Sequence, residues 1–353
     1  MKLKIFKPGV VLLIMVLLLI NLRGIAQTIG NGSRQIIGNG RQVKNNFDDA
    51  NAQIKNYSKS YAVDANDILT IKNRYGKVTV ITWNKNEIRA DVEIKIITAS
   101  VDDSKKMLDN ITINDRKEGS AITFETAVHN VSTWGSWTGE INANHKLEIN
   151  YIIYMPAKNE LNITNNFGPT VLPDFDGKVM INSAYGSFSA KSLTNNANKI
   201  NVSYGGANIE SLKTAEVEVN YGSLTIGAAD NVTAHVKYGS AFISKIITSG
   251  NIEIKGGELE IAEIGKNIQN LNINSSMGEV QLGLNKDENA DINVTVKFGR
   301  FNYGSHSVSL SDKPVTNGRK SWSPTQNYTG HLGKGDAKKV INITAEYGSI
   351  KFN

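Results

Sequence analysis

Residues 217–226 decide the fold, and they read VEVNYGSLTI. Apolar and aromatic side chains alternate with polar ones on both sides of the Tyr-Gly pair, which is typical of strands with one buried face. The alternating positions are Val217, Val219 and Tyr221 before the glycine, and Leu224 and Ile226 after it. The alternation shifts by one residue at Gly222. Such a shift would point the apolar side chains of the second strand to solvent unless the chain bends there. We therefore predict a corner in which the glycine adopts a backbone conformation that a Cβ would forbid.

The same aromatic-Gly unit recurs along the chain, at intervals of 17 to 21 residues between Gly168 and Gly299. Its copies are Tyr75-Gly76, Phe167-Gly168, Tyr185-Gly186, Tyr204-Gly205, Tyr221-Gly222, Tyr238-Gly239, Phe298-Gly299 and Tyr347-Gly348, with weaker copies at Gly256-Gly257 and Met277-Gly278. One such unit cannot bury a core alone, whereas stacked copies can. The predicted fold is therefore all-β: a parallel β-solenoid, right-handed by the crossover rule and of the single-stranded β-helix type, with the aromatic residues in a column.

The composition agrees with a repeating coil. The 353 residues include 31 Gly and 42 Asn, and both types suit tight corners because they tolerate left-handed backbone. The absence of Cys excludes disulfides and thiolate metal sites. Forty per cent apolar residues indicate a folded chain and not a disordered one.

Residues 1–26 are predicted to be a secretory signal peptide, with a basic start, an apolar run from Val10 to Ile20 and a cleavage site before Gln27. An uncleaved membrane anchor is the rival interpretation, but eleven apolar residues are short for a span of about 20. Cleavage would leave 35 basic and 33 acidic residues, so the net charge falls from +6 to +2. This argues against a nucleic-acid partner. We expect an exported protein, in the periplasm, on the outer surface or in the medium, with no transmembrane span after leader removal.

The rest of the chain divides into three predicted parts. Residues 27–56 are Gly- and Asn-rich and are interpreted as a flexible linker, with an initial strand or cap as the alternative. Residues 57–160 are predicted to form a β-rich N-terminal module, which is either a small sandwich or the distorted opening coils of the solenoid. Residues 161–353 are predicted to form the solenoid, with a long loop at 304–339 and residues 341–352 closing the stack. Within the module the predicted elements are strands at 88–96, 122–127 and 146–155 and a helix at 102–110.

Three stretches of the sequence carry a resemblance to a known family. Residues 69–83, 148–156 and 161–168 read LTIKNRYGKVTVITW, EINYIIYMP and LNITNNFG. They resemble the bacterial putative-adhesin β-strand-repeat proteins, a domain-of-unknown-function group abundant in Bacteroidota and similar to head-domain adhesins. The resemblance runs from about residue 57 to the C-terminus. It implies a secreted or envelope β-solenoid protein, and it implies no established ligand, cofactor or catalytic residue.

The candidate contact residues are aromatic. The tyrosine column of Tyr185, Tyr204, Tyr221 and Tyr238 could be a stacking platform for sugars, but its phase with Val and Ile favours the core or a half-buried corner. Trp134 and Trp137 lie in a polar loop between His129 and His145, where they could bind a glycan or a partner or could cover their own module. Trp322, Tyr328 and His331 form a weaker second candidate with the same alternatives.

No pattern of catalytic or metal-binding residues stands out. The five histidines have no metal-ligand spacing, and His235, between Ala234 and Val236, is expected to point outward. Outward carboxylates are interspersed with lysines, as on a solvated mixed-charge face; they are Glu210, Glu216, Glu218, Glu253, Glu258 and Glu260. We predict a non-enzymatic adhesin or structural scaffold without a cofactor, whose partner is an unknown surface protein or glycan. The alternatives are a carbohydrate-active enzyme on a β-helix, or a glycan- or peptide-binding module that uses the loop tryptophans.

Overall fold

The structure is a computed structural model that describes residues 49–129, 145–285, 287–306, 308–312, 324–334, 337 and 339–353. The described chain is all-β apart from a short 3-10 turn, Asp49–Asn51, and one α-helix. Its strands form a large, open, mixed sheet. The all-β class predicted from the sequence is therefore confirmed, while the solenoid and its hand stay predictions.

The strands are numbered in chain order. The first seven are β1 (Gln53–Ala62), β2 (Ile68–Arg74), β3 (Val78–Thr82), β4 (Glu87–Ile97), β5 (Ile111–Glu118), β6 (Ala121–Val128) and β7 (Lys146–Met155), with helix α1 (Val101–Asp109) between β4 and β5. Eight strands follow: β8 (Glu160–Asn166), β9 (Thr170–Leu172), β10 (Val179–Ala184), β11 (Phe188–Leu193), β12 (Asn198–Ser203), β13 (Gly206–Asn220), β14 (Ser223–Lys237) and β15 (Ser240–Lys255). The last nine are β16 (Glu258–Ile264), β17 (Asn270–Ser276), β18 (Glu279–Leu282), β19 (Ala290–Lys297), β20 (Arg300–Asn302), β21 (Val308–Asp312), β22 (Thr325–Leu332), β23 (Val340–Glu346) and β24 (Ser349–Phe352).

Two parallel ladders run through the structure. Ladder A contains the strand segments that precede the corners, with β6 added at its start, in the order β6, β2, β8, β10, β12, β13, β14, β15, β17, β23 and β19. Ladder B contains the segments that follow the corners, with β7 added at its start, in the order β7, β3, β9, β11, β13, β14, β15, β16, β18, β24 and β20. The long strands β13, β14 and β15 contribute to both. Val219 pairs with Val202 and with Val236, so adjacent rungs in this part of the ladders are one sequence repeat apart.

The core lies between the two ladders and follows the alternation read from the sequence. Val217, Val219, Leu224 and Ile226 are all at most 1% exposed. Equivalent Val, Ile, Leu, Ala and Phe residues are buried in the other rungs, in one continuous cluster from Val63 to Phe352. Burial of such rows is the main stabilising term of the fold, because it removes apolar surface from water in every rung.

The corner glycines are needed for space and not for an unusual backbone angle. A Cβ on Gly222 would lie closer than 3.0 Å to the carbonyl oxygen of Gly205, and one on Gly205 equally close to that of Gly186. The contact repeats along the whole column of corner glycines: Gly76, Gly168, Gly186, Gly205, Gly222, Gly239, Gly257, Gly278, Gly348 and Gly299. Positive φ angles are instead found at the residue before each of these glycines. The predicted corner is correct, but its left-handed residue was assigned to the wrong member of the pair.

Buried asparagines satisfy the carbonyl groups of the first corners. The Asn165 side-chain amide donates to the carbonyl oxygens of Gly76 and Gly168 at 3.1 and 3.0 Å. Asn73 donates to the carbonyl of Ile149 at 3.0 Å, and the hydroxyl of Thr126 donates to the Asn73 side-chain oxygen at 3.0 Å. A buried polar side chain is tolerated when its hydrogen bonds are made, so these asparagines replace apolar residues where the corners need donors.

The N-terminal end is finished by antiparallel strands. β4 pairs with β7, β1 pairs with β4, and β5 pairs with β6, so antiparallel strands adjoin both ladders. The predicted strands at 88–96, 122–127 and 146–155 are confirmed as β4, β6 and β7. The predicted helix is confirmed as α1: its N-cap Ser100 accepts from the Asp103 backbone N–H at 3.2 Å, and Asp102 and Asp103 occupy the first turn.

Side chains connect the outer strands of this N-terminal end. The hydroxyl of Tyr57 donates to Asp115 at 2.5 Å, and Tyr61 donates to the other carboxylate oxygen. Lys117 donates to Asp67 at 2.9 Å and to the Ala62 carbonyl at 2.7 Å. Burial, reinforced by the Asp115 contact, raises the pKa of Tyr61 to about 12. Burial acts to raise the pKa of Asp115, but the two tyrosine hydrogen bonds outweigh it and lower that pKa.

The C-terminal end departs from the predicted order. β23 pairs with β17 on one side and β19 on the other, so residues 340–352 form the last rung but one of the parallel ladders. The prediction that this segment closes the stack is wrong. The predicted loop at 304–339 is also corrected in part: β22 pairs antiparallel with β19, and β21 pairs with β22. These strands extend ladder A beyond its final parallel rung.

The inserted rung is fixed at its start by an ion pair. Glu288, in the connection between β18 and β19, contacts the ammonium group of Lys339, the residue before β23. Both side chains are nearly inaccessible to solvent, with 4% and 11% exposed. A charge buried in this way is stable only with its partner, so the pair specifies where the C-terminal segment lies.

We predict that Gly222→Ala destabilises the protein by more than about 4 kcal/mol, because the added methyl group clashes with backbone that cannot move without separating rungs. Gly119→Ala is the control: Gly119 has a φ of +58° but no atom within 4 Å of a Cβ, so it should cost only about 1–2 kcal/mol. Urea denaturation followed by circular dichroism measures both. A larger loss at Gly119 than at Gly222 would contradict the steric explanation.

The lowered pKa of Asp115 gives a second prediction. Its folded pKa lies below the unfolded value of about 3.9, so its stabilisation is complete above that pH and is lost as the pH falls through the folded pKa. Asp115→Asn should lower the free energy of unfolding by about 1–3 kcal/mol at pH 7 and by less below pH 4. Exposed Asp174→Asn is the control and should change neither value. Parallel stability curves for wild type and Asp115→Asn across this range would refute the assignment.

Candidate functional site

The aromatic residue of each corner has a left-handed backbone. Its φ lies between +51° and +66° in every copy of the unit, which is uncommon for a bulky side chain. The copies are Tyr75, Phe167, Tyr185, Tyr204, Tyr221, Tyr238, Phe298 and Tyr347, and Met277 and Gly256 occupy the same position with φ of +54° and +68°. The pair therefore divides two tasks: the aromatic residue makes the sharp turn, and the glycine allows the neighbouring rung to approach.

These aromatic side chains are exposed. Tyr185, Tyr204, Tyr221 and Tyr238 are between 49% and 55% exposed, although their sequence phase is that of the buried row. The left-handed backbone accounts for the difference, because it turns the Cα–Cβ bond away from the inward direction that alternation assumes. Of the two places that the phase favoured, the core is excluded, and the tyrosines lie at a corner with about half of each side chain exposed.

The exposed rings stack face to face along the molecule. Consecutive centroids from Tyr75 to Tyr238 are 4.7 to 5.3 Å apart, with interplanar angles of 2° to 14°. Each inner ring is thus covered on both faces by its neighbours, and the inner tyrosines present their edges and hydroxyl groups to solvent. No hydrogen bond within the described part of the chain engages the hydroxyl groups of Tyr185, Tyr204, Tyr221 and Tyr238.

The column is interrupted at two rungs. Gly256 and then Met277 replace the aromatic ring after Tyr238, and the stack resumes with Tyr347 and Phe298, whose centroids are 4.9 Å apart. The order Tyr347 before Phe298 reflects the inserted C-terminal rung. The uninterrupted part contains six rings and extends over roughly 25 Å at one rung per 4.7–4.9 Å.

Residues beside the middle of the column are small and uncharged. We call the rungs of Tyr185, Tyr204, Tyr221 and Tyr238 the tyrosine ridge. The neighbours of the ridge are Ala184, Ser203 and Asn220 on one side and Ser187, Gly206, Ser223 and Ser240 on the other, and Lys237 is the one charged residue directly beside it. Beyond the ridge, Arg74 and Lys77 flank Tyr75, while Lys297, Arg300 and Glu346 flank the last two rings. The chain therefore combines aromatic edges and free hydroxyl groups on a neutral strip.

Most of the loop residues predicted as contacts lie outside the described residues. This applies to Trp134, Trp137 and Trp322. Tyr328 lies on β22, packs edge-on against Phe301 with centroids 5.2 Å apart, and donates to Gln326 at 2.8 Å. Burial raises its pKa, and the nearby Tyr303 adds to the effect. Tyr328 is thus partly buried against its own core.

The histidines contact neighbouring strands. His331 lies 2.9 Å from Asp291 and His235 3.1 Å from Glu253, in both cases through Nδ1 to a carboxylate on an adjacent strand. His129 contacts Thr112 at 3.0 Å through Nε2, and burial lowers the pKa of His145. Each of these contacts joins two parts of the sheet.

The outward carboxylates also have partners on adjacent rungs. Glu216 is paired with Lys199 at 3.1 Å and Glu218 with Lys237 at 3.6 Å. The Asn220 hydrogen bond, with the charge of Lys237, lowers the pKa of Glu218 despite its partial burial. Within the described ranges, no group of three or more His, Asp and Glu side chains could hold a metal ion. These interactions support the interpretation of a solvated mixed-charge face.

Two clefts were not foreseen from the sequence, because they depend on which strands become neighbours. One, of about 730 Å³, lies across β1, β4, β7 and β3, and Asn56, Ser58, Asp91, Glu93 and Asn150 line it. The other, of about 560 Å³, lies near the C-terminal end. There Ser309, His331 and Asp291 stand opposite one another on β21, β22 and β19. Among the described residues, no hydrogen bond joins Ser309 to His331, so the three do not form the relay that a nucleophilic serine needs.

No family model and no curated protein matches the chain. It is similar to several solved structures. A "putative cell adhesion protein" from Clostridium sporogenes is 14% identical, with 85% of this chain and 99% of that chain covered and a TM-score of 0.22. A "putative adhesin" from Parabacteroides distasonis is 13% identical, with 85% and 97% covered and a TM-score of 0.38. A "putative lipid binding protein" from the same organism is 12% identical, with 84% and 96% covered and a TM-score of 0.38.

The solved structures to which the chain is similar thus include putative adhesins from Bacteroidota and Clostridium, the class that its sequence resembles. Identities below 15% and TM-scores below 0.4 carry no argument about what this chain does. Of the described part of the chain, no helix is long and apolar enough to span a membrane.

We predict that Tyr221→Gly is more stable than Tyr221→Ala, by about 0.5–1 kcal/mol. Both variants lose the ring, but alanine also carries the cost of a left-handed backbone, which exceeds the extra unfolded-state entropy of glycine. Gly256, at the equivalent position, shows that glycine fits the corner. The buried strand position Val219 is the control, where alanine should be better than glycine. Thermal unfolding measures all four variants, and equal stability of the two Tyr221 variants would count against left-handed strain at this corner.

Proposed function

We propose that the chain is a non-enzymatic, exported protein of the cell envelope that acts as an adhesin or structural scaffold. In this proposal residues 1–26 are removed on export, and the linker predicted at residues 27–56 ends before Gln53, where β1 begins. Residues 57–160 are the N-terminal module, and residues 161–353 form a right-handed β-solenoid that presents the contact surface.

The two parallel ladders support a stiff scaffold. Rungs of Val, Ile and Leu stack in register from β2 to β19, and antiparallel strands adjoin both ends. A repeat of this kind holds surface residues at fixed intervals, because every rung repeats the same backbone path. Such regularity favours a protein that presents many weak contacts over one that encloses a substrate.

The exposed aromatic column is the observation that carries the proposal. Four tyrosines about half exposed, with free hydroxyl groups and neighbours that are neutral except for Lys237, form a contiguous strip that the core does not need to bury. Tyrosine is enriched at binding surfaces because it combines apolar area with a hydrogen-bonding group and has little side-chain entropy to lose. A contact surface of several equivalent rungs would act through multivalency.

The arrangement of the polar groups favours binding over catalysis. The outward carboxylates Glu216, Glu218 and Glu253 are each engaged by a lysine or histidine on a neighbouring rung, which leaves them unsuited to act as a general acid and base pair. The carbohydrate-active enzyme considered from the sequence has no comparable support. The module that binds through Trp134 and Trp137 stays a separate prediction.

The proposal is tested by screening the secreted protein against glycan arrays and envelope-protein fractions. We expect Tyr204→Ala/Tyr221→Ala to weaken any binding found for the wild type by at least tenfold, since each truncation removes a ring edge and a hydroxyl group from the strip. Circular dichroism and thermal unfolding of the same samples establish that the variant is folded.

Phe242→Ala is the matched control, because Phe242 is 38% exposed on ladder B but lies outside the column. It should bind as the wild type does. Trp134→Ala/Trp137→Ala forms a third arm, and loss of binding only in that arm would transfer the contact site to the tryptophan loop. No binding of the folded wild type to any glycan or envelope fraction would overturn the adhesin proposal.

A further inference from the structure

We propose that the tyrosine ridge binds an uncharged polysaccharide, which lies along the stack with its chain direction parallel to the column. The inference rests on the proposed contact function and names the class of its partner.

The charge of the ridge selects against ionic partners. Its seven flanking positions other than Lys237 are Ala, Ser, Asn or Gly. Charged residues begin two rungs away in one direction, at Arg74 and Lys77, and at the adjacent rung in the other, at Lys255 and Glu258. An anionic glycan or a nucleic acid needs a row of cations, because phosphate and carboxylate contacts are electrostatic. A neutral polymer has no such need, and it avoids the cost of removing charges from water.

The geometry of the rings determines what can contact them. Since the faces of the inner rings are covered by stacking at 4.7 to 5.0 Å, a ligand meets only ring edges and phenolic hydroxyl groups. Exposed serines 187, 223 and 240 add hydroxyl groups on one side. Ring edges accept apolar C–H surface, and hydroxyl groups both donate and accept hydrogen bonds. A sugar presents the same two kinds of group, C–H bonds and hydroxyls, on every residue.

The repeat distance distinguishes a polysaccharide from a peptide. An extended peptide directs side chains to one side about every 6.6 Å, whereas the rings are about 5 Å apart. Its side chains are therefore no longer aligned with the rings after two or three rungs. An extended chain of pyranose rings advances by about the length of one ring per residue. Each rung can therefore meet one sugar, and the contacts add along the ridge.

A second copy of this chain would share the repeat distance, but its contact would be small. The ridge covers four rungs and is about one side chain wide, so it would bury on the order of 200 Å² per partner, against about 800 Å² in a standard protein interface. A flexible polymer does not need a single contact of about 800 Å² to bind. It gains affinity by engaging many rungs at once.

The experiment is affinity electrophoresis of the full-length protein in gels that contain hydroxyethylcellulose, xylan or galactomannan, with alginate as the anionic polymer. We expect retardation by at least one neutral polymer and none by alginate. Tyr204→Phe/Tyr221→Phe keeps the stacked rings and removes two hydroxyl groups, so it should fold normally and weaken retention by about tenfold. Ser223→Glu should weaken it further by placing a charge beside the ridge.

Tyr347→Phe is the matched control, since Tyr347 is 57% exposed in the same column but has charged neighbours. It should be retarded like the wild type. Retention by alginate alone, or unchanged retention of Tyr204→Phe/Tyr221→Phe, overturns the inference. So does a dimer, detected by sedimentation, that Ser223→Glu dissociates. Ridge-dependent binding to an envelope protein but to none of the neutral polymers would also overturn it, and would leave the adhesin proposal intact.

Discussion

The distance between successive rungs at the corner controls this structure. From Gly168 onward, each corner glycine lies directly against the carbonyl group of the equivalent glycine in the neighbouring rung, and Gly76 lies against that of Ile149, with no room for a Cβ. The spacing that results is the ordinary strand spacing of a β-sheet, so the corner continues the ladders and does not interrupt them. With the backbone path fixed there, the preceding residue must take the left-handed turn. The exposed aromatic column is therefore a consequence of how closely the corners pack.

Stacking of the rings follows from the same constraint. A side chain that repeats at every rung meets its own copy about 5 Å away, which is a favourable distance for flat rings. Stacking offsets part of the cost of a left-handed backbone at a bulky residue. The column can thus be a structural device and a binding surface at the same time. The two roles are separable, because the faces of the rings serve the stack and their edges and hydroxyl groups face solvent.

The ladders could be predicted from sequence because they depend on local alternation and a regular period. Val217, Val219, Leu224 and Ile226 are buried as their phase requires. Alternation says nothing about a residue whose φ is positive, so the phase of Tyr221 could not decide between the core and the half-buried corner where it lies. The clefts and the Tyr57–Asp115 contact join strands far apart in sequence, and no local pattern encodes them. The position of β23 was missed for the same reason, since a repeat shows that rungs stack but not in which order.

The inserted rung has a consequence for folding. Residues 290–302 precede residues 340–352 in the chain, yet they lie beyond them in the stack. In the finished sheet β23 lies between β17 and β19. A chain that adds one rung at a time from its N-terminus reaches β19 before it reaches β23. β19 must then either leave a vacant rung or bind to β17 first and be displaced. The order in which the strands are synthesised thus differs from their order in the sheet at this end. Residues 340–352 fill a rung whose neighbours on both sides precede them in the chain.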